Sequence, residues 1–79
     1  MMEYEVLKKA IEKTLQVYNA EITPEATFET TLGADSIDMA QIFKLVEEEL
    51  KINIPIHEWA RVKSVKDAYE LICRVKCDE

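Results

Sequence analysis

Apolar residues recur at helical spacing in three stretches of this chain and lose that rhythm between them. From about Glu3 to Asn19, Tyr4, Leu7, Ile11, Leu15 and Tyr18 follow one another at steps of three or four, with Val6, Ala10, Thr14 and Val17 beside them. Such steps place side chains on one face of an α-helix, so the stretch predicts an amphipathic helix. The opposite face, with Glu5, Lys8, Lys9, Glu12, Lys13 and Gln16, reads as solvated surface. The second helix is expected to start at Asp35 or Ser36 and to end near Leu50, with Met39, Ile42, Phe43, Val46 and Leu50 as its inward stripe. A third helix is predicted from Val65 to about Val75, with Val65, Ala68, Tyr69 and Ile72 facing inward. Ser64 is placed to cap it, with Asp67 as the acid at the third helical position.

The stretches between are less regular. From Ala20 to Ala34 the period disappears, while Pro24, Gly33 and threonines 23, 27, 30 and 31 favour turns and local side-chain bonds. Ile22, Phe28 and Leu32 are spaced to pin this long loop onto a core, and a loop this long in a small protein usually serves function. The run Lys51-Ile52-Asn53-Ile54-Pro55-Ile56 alternates like a strand but has no second strand signal to pair with, so an extended connection is expected. Pro55 can open a short helical turn from Ile56 to Arg61. The expected class is all-α: a small bundle of three main helices and one short one, with a long loop between the first and second and no sheet.

Length and composition then limit what such a bundle can do. The 79 residues suit one small domain, 1–79, with a modest core; 48% hydrophobic residues, one Gly and two Pro argue for a folded chain. A net charge of −6 disfavours nucleic acid and anionic membranes and makes basic protein surfaces the natural complement. No apolar run is long enough to span a bilayer, and charges from Glu3 to Glu12 interrupt any signal-peptide core. Cys73 and Cys77, with one remote His57, supply neither a disulfide framework nor a zinc ligand set; they are expected to be reduced thiols of a cytoplasmic protein.

Little here can carry chemistry. A serine hydrolase needs a positioned histidine base and an oxyanion hole, yet the single His57 falls in a short turn and no Gly-x-Ser-x-Gly elbow exists. Gly-rich phosphate loops and calcium-binding loops are absent too. The candidate is Ser36, within Leu32-Gly33-Ala34-Asp35-Ser36-Ile37-Asp38-Met39, where loop becomes helix between two carboxylates. Ser or Asp at such a position ordinarily serves as a cap. A phosphate ester there would also meet the positive end of the helix dipole and free backbone N–H groups. Ser36 makes more sense as a substrate for another enzyme than as a catalyst. Beside it, Ile37, Ala40, Gln41, Lys44, Glu47 and Glu48 share the face opposite the inward stripe, a mixed apolar and charged surface on which a partner could dock. Glu47-Glu48-Glu49 opposes the helix dipole, by a few tenths of a kcal/mol per acid.

This motif, the helix ending Val46-Glu47-Glu48-Glu49-Leu50, the Ile54-Pro55 beyond it and the restart at Ser64-Val65 together resemble the acyl carrier protein family over nearly the whole chain. The resemblance implies a carrier, not an enzyme. It implies that Ser36 receives 4′-phosphopantetheine from coenzyme A through a magnesium-dependent phosphopantetheinyl transferase, and that the arm holds acyl groups as thioesters. Asp35 and Asp38 match the acids flanking the family's attachment serine. Ile37, Ala40, Gln41, Lys44, Glu47 and Glu48 fall on its partner-facing helix, toward acyl-processing enzymes with basic docking patches. Phe28, Phe43, Val46, Ile54, Trp59, Val62 and Ala68 would line the shelter for the acyl chain. A monomer free to visit several enzymes is expected.

Departures from the family pattern matter as well. Gln41 stands where an acid is common and Lys44 where an apolar residue often projects, while His57, Trp59 and Arg61 make the short helix less acidic than usual. Trp59 replaces a commonly small residue, so it either shortens the acyl shelter or serves as an ordinary core plug or exposed ring. The motif favours a carrier for fatty-acid or specialised lipid synthesis. Related carriers for polyketide, peptide or D-alanine transfer, and an unmodified acidic helical adaptor, are the alternatives. Ala34 and the acidity count against the peptide carriers.

Overall fold

The first apolar stripe winds into α1, Met2–Leu15, which buries Leu7, Ala10 and Ile11 completely or nearly so. A computed structural model describes residues 2–77 of the chain. In it α1 stops four residues before the end expected from the periodicity. Gln16 adopts a left-handed backbone with φ 56°, its N–H donating to the Glu12 carbonyl at 2.8 Å, and this turns the chain out of the helix. Tyr18 therefore leaves the stripe to which its spacing assigns it and is 82% exposed. Periodicity alone cannot see this stop, because Gln16 carries none of the usual Gly or Asn signal.

A single 3₁₀ turn at Asn19–Glu21 leads into the long loop, whose Ile22, Ala26, Phe28, Leu32 and Ala34 are all buried. The loop is held by its own side chains and by the segment before the last helix. The Thr27 hydroxyl bonds those of Thr30 and Thr31. Phe28 N–H donates to the Lys63 carbonyl at 2.9 Å and Val65 N–H to the Ala26 carbonyl at 2.9 Å, so a single antiparallel bridge joins Thr27 and Ser64. No strand forms among the described residues, as expected.

Helix α2 spans Ser36–Leu50 and buries Ile42, Phe43 and Val46, while Met39 and Leu50 pack at its margin. Lys51, in a left-handed conformation with φ 58°, ends it. The short helix α3 covers Ile56–Trp59 after Pro55, slightly shorter than the expected turn to Arg61. Helix α4, Val65–Cys77, runs two residues past its expected end and buries Val65, Ala68, Leu71 and Ile72. Its start is the reciprocal cap anticipated from the sequence. Asp67 N–H donates to Ser64 Oγ at 3.1 Å, and Ser64 N–H donates to Asp67 Oδ2 at 3.2 Å.

Helix α1 packs mainly against α2 and less extensively against α4, and α3 leans on α4. Among the described residues, seventeen buried apolar side chains drawn from α1, α2, α4 and both long connections form one core. Tyr4 and Tyr69 close one margin edge to face, with ring centroids 5.4 Å apart. Cys73 and Cys77 are free cysteines on α4. No described helix is long and apolar enough to cross a membrane.

Candidate functional site

The start of α2 is built by the loop that precedes it. Gly33 takes a left-handed backbone with φ +68°, a conformation that carries no steric penalty for glycine, and Ala34 N–H then donates to the Phe28 carbonyl at 2.7 Å. This anchored turn delivers Asp35 in an extended conformation as the N-cap of α2. Asp35 Oδ1 accepts the Asp38 N–H at 2.9 Å, and Asp38 Oδ2 accepts the Asp35 N–H at 3.2 Å. Both carboxylates thus satisfy helix-start donors that would otherwise depend on water.

Capping falls to Asp35, which leaves Ser36 as the first residue inside the helix. Ser36 is exposed, and among the described residues no side-chain hydrogen bond engages its hydroxyl. A serine with its Oγ uncommitted, facing solvent on the positive end of a fifteen-residue helix, fits a covalent phosphodiester: nothing has to move or be unpaired to admit it. The described residues contain no group of His, Cys, Asp and Glu able to hold a metal ion.

Around Ser36 the residues of the outward face do not behave alike. Ile37 is 78% exposed, and Ala40, Gln41, Lys44 and Glu48 are exposed with it. Glu47 is half-buried instead, and its Oε2 accepts the Ile54 N–H at 2.6 Å. The residues expected to shelter an acyl chain all join the core or pack against it. Phe28, Phe43, Val46, Ile54 and Ala68 are buried; Trp59 and Val62 are half-buried, with the Trp59 indole stacked on the Phe43 ring.

Open grooves lie elsewhere. One of about 240 Å³ between α3 and α4 touches Val62 and is rimmed by the Arg74–Glu58 ion pair. Another, about 420 Å³, brings Lys13 and Thr14 of α1 beside Ile37, Asp38, Gln41 and Leu45. A third, about 630 Å³, continues along Val6, Ala10, Leu45 and Leu50. Lys13 and Thr14 stand next to the start of α2 only because α1 and α2 pack antiparallel, a register that no local pattern in the sequence reports. The Thr14 hydroxyl is buried there with no hydrogen-bond partner among the described residues.

Comparison with known proteins agrees with this geometry. The model of a family described as the phosphopantetheine attachment site matches residues 5–72, which takes in the loop, α2, α3 and most of α4. The class is therefore that of phosphopantetheine carriers, and its cofactor is 4′-phosphopantetheine. Acyl carrier proteins of Clostridium perfringens strains SM101 and 13, both Type A, are each 41% identical to the chain over 69 residues, covering 87% of it and 91% of their own length. The chain belongs to the acyl carrier protein family, whose members carry intermediates and are not enzymes.

Proposed function

We propose that Ser36 is the attachment point of the 4′-phosphopantetheine arm, and that residues 1–79 form a single carrier domain holding acyl intermediates as thioesters for fatty-acid or specialised lipid synthesis. The observation that carries this reading is the division of labour at the start of α2: Asp35 and Asp38 cap the helix, and the Ser36 hydroxyl is left exposed. In the loading step Ser36 Oγ forms a bond to the pantetheine-bearing phosphorus of coenzyme A. The pyrophosphate bond breaks, 3′-phosphoadenosine 5′-phosphate leaves, and the hydroxyl proton passes to a base of the transferase. The chain's own part is to present that hydroxyl, the nucleophile of the step, on a rigid helix end; the base belongs to the transferase and the transferred group to coenzyme A. A flexible arm then gives each tethered intermediate a high effective concentration at successive active sites.

Docking is assigned to the exposed face of α2, through Ile37, Ala40, Gln41, Lys44 and Glu48, with Asp35 and Asp38 meeting basic groups of the transferase. The net charge of −6 suits partners with basic patches, whose encounter charge complementarity accelerates. Phe28, Phe43, Val46, Ile54, Val62 and Ala68 are the proposed shelter for the acyl chain, and Trp59 is proposed to shorten it. The stacked Trp59–Phe43 pair supports that assignment. The setting proposed is a cytoplasmic monomer.

Intact-mass measurement after incubation with coenzyme A and a broad-specificity phosphopantetheinyl transferase tests the attachment. The parent protein gains the mass of one phosphopantetheine and Ser36→Ala gains none. A gain that survives Ser36→Ala, or no gain in the parent, rejects Ser36 as the attachment residue.

A further inference from the structure

The strand-like alternation of residues 51–56 poses a hydrogen-bonding problem. Ile52 and Ile54 are buried, at 5% and 4% exposure, while Asn53 between them is exposed. In a sheet the N–H groups of such a segment would pair with a neighbouring strand, but here no strand is present among the described residues. An unpaired donor buried beside Ile54 would destabilise the fold. Glu47 resolves this almost alone. Its carbonyl accepts the N–H groups of Lys51 and, at 3.1 Å, of Ile52, and its carboxylate accepts that of Ile54 at 2.6 Å. A bond of that length to a carboxylate, partly withdrawn from water, is of the strong, charge-assisted kind.

Directly after this clasp the chain enters α3, four residues long and too short to persist without outside contacts. Its cap, Pro55, makes no side-chain hydrogen bond to the helix. Besides the clasp just before it, α3 is held by the Trp59–Phe43 stack and by the Glu58–Arg74 ion pair at 3.1 Å, whose arginine is 60% exposed. Exposed ion pairs of that sort hold little. The position of α3, with its 71% exposed Ile56, therefore depends on the Glu47 bond and the aromatic stack.

We propose that Glu47 is a positioning residue which clasps the α2–α3 connection from within, and that the docking acid on this turn of α2 is its exposed neighbour Glu48. The second half rests on the reading of α2 as the docking helix; the first half does not. The two acids are adjacent in sequence and equal in charge, and only their surroundings divide the roles. Glutamine at position 47 keeps an oxygen able to accept the Ile54 N–H while removing the charge. At position 48 the same change removes a docking charge and disturbs nothing inside.

Glu47→Gln, Glu47→Ala and Glu48→Gln are compared with the parent by ¹⁵N NMR of the Ile54 amide, by Trp59 fluorescence, and by KM and kcat for loading from coenzyme A by the transferase. Glu48→Gln is expected to raise KM for the carrier about threefold, an effect that fades with added salt, with the Ile54 amide and Trp59 emission unchanged. Glu47→Gln keeps KM within about twofold while shifting the Ile54 amide, since a neutral acceptor binds it less strongly. In Glu47→Ala, amide exchange at Ile54 accelerates on the order of tenfold and Trp59 emission moves toward that of a solvated indole, the response that Glu47→Gln restores. An Ile54 amide that ignores both Glu47 substitutions overturns the clasp, and a KM rise in Glu47→Gln as large as that in Glu48→Gln overturns the division of roles. If the parent itself is not loaded, the docking half is rejected, while the Ile54 amide and Trp59 emission still decide the clasp.

Discussion

The Trp59 indole lies almost parallel to the ring of Phe43, with centroids 5.6 Å apart and planes inclined by 13°. Phe43 is 1% exposed, so the stack fastens α3 onto the centre of the core through one half-buried residue. Truncation of Trp59 to Ala removes that contact and opens space above Phe43. A loss of about 2 kcal/mol is expected in urea denaturation, less than for a fully buried tryptophan. If Trp59 also shortens an acyl shelter, a long-chain thioester on Trp59→Ala hydrolyses more slowly than on the parent, despite the lower stability. Equal hydrolysis rates in the two proteins would remove Trp59 from any role in the shelter.

Asp35 and Ser36 are neighbours with separable functions, and their stability effects should differ accordingly. Asp35→Ala removes one arm of the reciprocal cap and is expected to lower stability by about 1–2 kcal/mol. Ser36→Ala leaves the cap intact and should stay within about 0.5 kcal/mol of the parent while abolishing loading. Thermal denaturation beside intact mass measures both effects. A serine substitution as damaging to stability as that of Asp35 would return Ser36 to the role of a cap.

Partner association should respond to the charge that Gln41 lacks. Gln41→Glu adds an acid to the exposed face of α2 and is expected to raise the association rate with the transferase about two- to threefold at low ionic strength, with the gain vanishing as salt is added. Stopped-flow association over a salt series provides the measurement. A gain independent of salt would mean that the substitution acts by packing and not by steering.

Through two tyrosines, stability is expected to fall in alkali. Burial, and then the charges of Glu25 and Glu5, raise Tyr4 above the ordinary value of 10.0; a hydrogen bond with Cys73, and then burial, raise Tyr69. With the folded values above the unfolded ones, the unfolded chain gives up these protons first. The contribution is intact below pH 10.0 and is lost as the pH rises through the folded values. Urea midpoints measured from neutrality into this range should decline, and the Tyr4→Phe/Tyr69→Phe variant should decline less steeply. Parallel curves for the two proteins would assign the decline to other groups.

The three long helices, the reciprocal cap at Ser64 and Asp67 and the serine motif at a helix start are legible in residue order, because each arises from contacts a few positions apart. The loop shows only its apolar pins, while the bonds from Phe28 to Lys63 and from Val65 to Ala26 that hold it are long-range. Helical period reports which face is buried, and capping chemistry reports where a helix starts. The end of α1 is not legible. Gln16 takes a positive φ without a glycine to announce it, and the spacing places Tyr18 in a stripe that it leaves. Nor can the spacing choose between Asp35 and Ser36 as the cap, since both residue types serve.

By itself the sequence determined an acidic helical bundle with one serine at a helix start, since local periodicity, capping residues and net charge suffice for that. The carrier class came through the resemblance to the acyl carrier protein family and not from those patterns. Only the tertiary structure decided which of two adjacent glutamates turns inward, that Trp59 rests on Phe43, and that Lys13 and Thr14 of α1 reach the neighbourhood of Ile37. The reason is physical: these relationships join residues that only packing brings together. Glu47 and Glu48 are chemically identical until an Ile54 N–H, buried without a strand to pair it, selects one of them.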